Sequence, residues 1–137
     1  MTLTTPNRRF LVRLAATAAI LVLSIRGARY LIEQGTIEGP ILWGYAVIPG
    51  VAMISIFYAY GMLIIEQKDE FIRILLPRQL IIGTGIALSF ASVWGFLEEF
   101  GLVAHIYPYY VAFVWLLGFA FGGLVNRITH GAWGELS

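Results

Sequence analysis

Drawn as a helix at 100° per residue, the segment 66–73 gathers Glu66, Asp69, Glu70 and Arg73 into an arc of roughly 100° and turns Phe71, Ile72 and Leu75 the other way. Two kinds of chemistry follow from that arrangement. Mixed charge beside apolar side chains suits a protein partner, because the charges select and an aromatic ring anchors. Three carboxylates are also hard oxygen ligands of the kind Mg²⁺ or Ca²⁺ takes, but Arg73 on the same arc repels a cation, so no metal is expected. Partner docking is therefore assigned to Glu66, Asp69, Glu70, Phe71 and Arg73. The plainer alternative is a solvated connector, self-paired through Asp69–Arg73 at i, i+4 and Glu70–Arg73 at i, i+3, each pair worth about 0.2–0.5 kcal/mol. On this reading residues 66–76 continue the preceding helix and Pro77 ends it.

The segment stands out because the rest of the chain is so apolar. Nine Lys and Arg and eight Asp and Glu are spread over 137 residues, and six of those charges fall within 66–78. Hydrophobic residues make up 59% of the chain, charged residues 12%, and mean hydropathy is +0.81, values that belong in a bilayer rather than in water. A spanning helix needs about 20 apolar residues, so the length accommodates four spans in a single domain, 1–137. The runs lie at about 10–31, 41–65, 79–97 and 109–128, and each must be helical, since an isolated strand leaves its backbone unsatisfied in lipid. The expected fold is an all-α, polytopic four-helix bundle. Arg8 and Arg9 before an apolar run resemble the start of a signal peptide, but Arg13 and Arg26 bracket that run, and the first span is expected to be retained.

Placement of Lys and Arg orients the spans. With both termini cytoplasmic, Arg8, Arg9, Arg13, Lys68, Arg73, Arg78 and Arg127 lie inside, against Arg26 and Arg29 outside. The charged segment then faces the cytoplasm, and the expected location is a bacterial inner membrane.

Helices in lipid associate through close backbone approach at small residues four apart. Gly83, Ala87, Ala91 and Gly95 form such a ridge on the third span, Gly118 and Gly122 on the fourth, and Ala15 and Ala19 on the first. These seams serve packing within one bundle, or alternatively a homo-oligomer. Pro49 within the second span removes a helical hydrogen bond. Asn126, near the end of the fourth span, is expected to bond a neighbouring helix. On the opposite side of the membrane, Arg26 and Arg29 are one turn apart and suit either an ion pair with Glu98 and Glu99 or an anion or lipid headgroup.

Several function classes are excluded or disfavoured. Cysteine is absent, which rules out disulfides and thiolate chemistry. A net charge of +1 argues against nucleic acid. None of the four spans carries Asp, Glu, Lys, Arg or His at its centre, where proton relays and substrate paths place them. Ser24, Ser55, Ser89, Ser92, Thr17 and Thr84 have no base within their spans, and His105 and His130 fall outside them, so neither an enzyme nor a haem or other cofactor is expected.

The run Glu66-Gln67-Lys68-Asp69-Glu70-Phe71-Ile72-Arg73, between the second and third spans, is similar to a charged Asp-Glu signature of small, uncharacterised four-helix bacterial inner-membrane proteins. Some of these are paired with helix-turn-helix regulators. The resemblance implies a cytoplasmic protein partner contacting Asp69, Glu70, Phe71 and Arg73. The expectation is a non-catalytic accessory, regulatory or scaffold protein. The alternatives are a small homodimeric channel or transporter, its polar lining drawn from Ser55, Thr84, Ser89, Ser92 and Asn126, and a lipid-binding membrane protein.

Overall fold

Apolar runs of Leu, Ile, Val, Ala and Phe, interrupted by Gly, Pro and charge only at their ends, leave the backbone one way to satisfy itself without water, the helix. The computed structural model describes residues 5–133, and the described residues hold four α-helices and no strand. These are α1 (Thr5–Glu33), α2 (Pro40–Glu66), α3 (Glu70–Glu99) and α4 (Tyr109–His130), each long and apolar enough to cross a membrane. The chain divides into two units, one ending at Glu66 and the next beginning at Gln67, and each is a hairpin of two helices.

In the first hairpin α1 ends in a left-handed Gly35, with φ at 65°, and the Thr36 N–H closes back onto the Leu31 carbonyl at 3.0 Å. Pro40 opens α2, where a missing N–H costs nothing. The buried side of α2 runs through Ala52, Ile56, Ala59, Tyr60 and Leu63, a 3.6-residue stripe. Phe10 packs its ring on Tyr60 at 4.9 Å, and Thr17 meets Ser55 at 2.8 Å. Ser55 also donates to the Ala52 carbonyl, so its single proton is used there and Thr17 supplies the other. Ala15 and Ala19 are exposed, and the buried positions on α1 are Pro6, Asn7, Phe10 and Thr17. Pro49 lies inside α2, and the helix runs on through it.

In the second hairpin the register is set by glycine. A Cβ added to Gly83 would lie 2.8 Å from the Phe119 nitrogen, and one added to Gly118 would lie 3.0 Å from both the Cα and the oxygen of Gly83. The two backbones therefore touch, as only glycine permits. One turn on, Gly122 meets the Gln79 backbone. The third-span ridge divides along its length: Gly83 and Ala87 are buried, Ala91 is half-buried, and Gly95 is exposed with open space around it.

The third helix starts nine residues before the expected position. Beyond Glu66 the segment does not continue α2, and Pro77 does not end a helix; it sits inside α3. Asp69 is the cause. Its carboxylate accepts from the Phe71 N–H at 2.9 Å and the Ile72 N–H at 3.3 Å, and its carbonyl accepts from the Arg73 N–H, which nucleates a new helix at Glu70.

Candidate functional site

Because α3 begins at Glu70, the charged segment is split, and its larger part belongs to the second hairpin. Glu66 is the last residue of α2. Arg13 holds it through Nη2 to Oε1 at 2.7 Å and Nη1 to Oε2 at 3.2 Å, a two-pronged guanidinium–carboxylate pair. The single arc containing Glu66, Asp69, Glu70 and Arg73 therefore does not form. The self-paired helix does not form either: the Asp69 carboxylate is turned onto backbone N–H groups, and Arg73 makes no ion pair with Asp69 or Glu70.

What remains at the start of α3 is a mixed surface. Ile72, Leu75 and Leu76 are buried, while Phe71 is 47% exposed and Ile74 71% exposed, with Glu70 and Arg73 exposed beside them. The end of α4 completes this surface. His130 lies 6.3 Å from Phe71, centroid to centroid, and Arg78 Nη1 stands 2.9 Å from its Nδ1 and 3.2 Å from its Nε2. A guanidinium only donates, so the facing ring nitrogen accepts. Gly131, with φ at 74°, ends α4, and Trp133 returns beneath Arg127, its ring 5.1 Å from the guanidinium carbon.

The sequence reading missed Arg78, His130 and Ile74 as members of this surface. The signal lay in the glycines: once Gly83 is opposite Gly118 in an antiparallel pair, residues near 71 fall opposite residues near 130. It also missed Gln79, fully buried in the same seam, whose Nε2 donates to the Phe119 carbonyl at 3.0 Å. Asn126 donates to the Leu75 carbonyl at 3.0 Å, the inter-helix bond expected of it.

The polar residues on which a channel would draw lie as follows. Ser55 is bonded to Thr17 and Ala52, Thr84 accepts from Trp115 Nε1 at 3.0 Å, and Asn126 is bonded to Leu75, each within its own hairpin. Ser89 and Ser92 are exposed on α3. Arg26 and Arg29 are exposed on α1 one turn apart. Glu98 pairs with His105 of its own hairpin, and both histidines lie at the surface. Among the described residues no group of three His, Asp or Glu side chains comes together around a common point.

Helices and surface together define a class: an all-helical protein with four helices long and apolar enough to cross a membrane, carrying a mixed charged and apolar patch at one end of its second hairpin. No protein-family model, curated protein or solved structure matches the chain.

Proposed function

We propose that this chain is a multi-pass protein of the bacterial inner membrane, both termini cytoplasmic, that acts without catalysis as an accessory, regulatory or scaffold subunit. It docks a protein partner through Glu70, Phe71, Arg73 and Ile74, with Arg78 and His130 at the margin. Four membrane-length apolar helices and the bias of seven Lys and Arg against two support the location and orientation. The carrying observation is the pairing of unmatched charge with exposed apolar area at the start of α3: Glu70 and Arg73 have no ion-pair partner among the described residues, while Phe71 and Ile74 present their side chains beside them. Such a surface gives charge selectivity around an apolar anchor. Asp69 contributes by capping α3 beneath the patch rather than by touching the partner, and Glu66, held by Arg13 in the first hairpin, is left out of it.

The test is a photo-crosslinking amino acid placed at Phe71 or Ile74 in intact membranes, with Leu102 in the α3–α4 connection as the control position. A discrete adduct from the first two sites that disappears on combining Glu70→Gln with Arg73→Gln supports docking. Adducts to lipid alone, or the same adduct from Leu102, would refute it.

A further inference from the structure

Thr5, Arg8, Arg9, Val12 and Arg13 follow the i, i+3, i+4, i+7, i+8 spacing of one helix face, and they line a shallow open hollow of about 480 Å³ on the first hairpin. This is not the face that α1 buries, which runs through Asn7, Phe10 and Thr17. The charges on it are unequal. Arg13 is matched by Glu66, which also acts electrostatically on Arg9, whereas neither Arg8 nor Arg9, both exposed, forms an ion pair among the described residues. Two forked guanidinium groups and a hydroxyl around one hollow suit a phosphate group, which a guanidinium grips through two parallel hydrogen bonds.

A second hollow, of about 270 Å³, lies on the same hairpin, lined by Ile20, Val47, Ile48, Val51, Ala52 and Ser55. It is almost wholly apolar and lies beside Pro49, which interrupts the hydrogen-bond ladder of α2. Ile20 is eleven residues beyond Arg9, and at 100° per residue that is three turns plus about 20°, so Ile20, the α1 residue at the second hollow, lies on the same side of α1 as Arg9. At about 1.5 Å per residue they are roughly 16 Å apart along the axis. Half of a hydrocarbon core of about 30 Å is about 15 Å, the depth reached by the chain of a phospholipid whose headgroup sits at the surface. Val12, at the edge of the first hollow, and Ala16, between Val12 and Ile20 in the sequence, are exposed apolar positions along the way.

We infer that this face of α1 is a binding site for an anionic phospholipid, its phosphate held by Arg8 and Arg9 and one acyl chain laid past Val12 into the hollow at Ile20 and Val51. The inference rests on the membrane reading but not on partner docking, which concerns the other hairpin, so the two fail separately.

The experiment is native mass spectrometry of the full chain in detergent, titrated with dioleoyl phosphatidylglycerol, dioleoyl phosphatidylcholine, dihexanoyl phosphatidylglycerol and inorganic phosphate. Dioleoyl phosphatidylglycerol is expected to bind about tenfold more tightly than the choline lipid, and Arg8→Gln with Arg9→Gln to remove that preference. Val51→Trp, which fills the lower hollow, is expected to weaken the dioleoyl lipid about fivefold and to leave the dihexanoyl lipid unchanged, since a short chain ends above it. Equal affinity for the two headgroups, or a preference that survives the double glutamine change, would overturn the headgroup assignment. Unchanged dioleoyl binding in Val51→Trp would overturn the path of the chain. Displacement of the lipid by inorganic phosphate at about 10 mM would mark a free phosphate as the ligand and so overturn the lipid. Should the glutamine variant fail to fold, Arg8→Lys with Arg9→Lys decides: loss of the fork at constant charge should weaken binding about threefold, and no loss would refute the guanidinium grip.

Discussion

Gln79 Nε2 donates to the main-chain oxygen of Phe119 at 3.0 Å, reaching it across a gap that Gly122 and Gly123 leave open. A side-chain amide can lie this close to the facing backbone because the two glycines have no side chains to fill the space.

The glycine seam predicts that one substitution has opposite signs at two ends of one ridge. Alanine is favoured over glycine in a helix by about 0.8–1 kcal/mol. At Gly95, where an added methyl meets nothing within 4 Å, Gly95→Ala should stabilise or be neutral. At Gly83 the methyl would meet the Phe119 backbone at 2.8 Å, and Gly83→Ala should destabilise by about 1–3 kcal/mol. Denaturant unfolding in detergent, followed by circular dichroism, separates them; equal shifts would show that the backbones do not touch.

Asn126→Ala should change stability by less than about 1 kcal/mol, although the residue is fully buried. The lost bond to Leu75 is worth about 0.6 kcal/mol in a membrane protein. Against this, Asn126 Oδ1 is buried without a hydrogen-bond partner among the described residues, and its removal recovers part of a cost of about 1–3 kcal/mol. A loss above about 2 kcal/mol in the same unfolding assay would show that Oδ1 is satisfied and the bond stronger than this balance allows.

Asp69→Ala should cost about 1 kcal/mol, with most of it recovered by Asp69→Asn or Asp69→Ser, which keep a capping oxygen. Hydrogen exchange at the Phe71 and Ile72 amides provides the local readout. Protection lost in the alanine variant and kept in the asparagine variant identifies the cap; equal protection in all three would mean that α3 starts elsewhere.

Arg13 and Glu66 should behave as a coupled pair. Arg13→Gln and Glu66→Gln each leave a charge facing an uncharged partner, whereas the double substitution leaves none, so the double variant should lose less stability than the two singles added together. Strict additivity would show that the pair makes no net contribution.

How much of this was legible in the sequence depends on what each signal competed with. The four helices were readable because the apolar runs are long and nothing opposes them, and the Gly118 and Gly122 positions because only small residues let backbones meet. The start of α3 was misread because Pro77 looks like a stop while Asp69 looks like one more charge. A proline two turns into an apolar helix is tolerated, and an aspartate with two N–H groups ahead of it begins a helix. The Arg13–Glu66 pair was hidden by separation: the partners are 53 positions apart, and only the pairing of α1 with α2 brings them together. Phe71 beside His130 was hidden in the same way, since it depends on the α3–α4 register, which the glycines give only once Gly83 is matched to Gly118 rather than to another small residue.

The meeting of Gly83 with Gly118 also bears on the order of assembly. Glycine has no rotamers to freeze, so bringing these two backbones together costs no side-chain conformational entropy, whereas closing the first hairpin immobilises Phe10, Arg13, Tyr60 and Glu66. Closing the rest of the second hairpin immobilises Gln79, Phe119 and Asn126, so the saving is confined to the Gly83–Gly118 crossing, which should persist as a contact at temperatures where the long side chains joining α1 to α2 have begun to exchange between conformers.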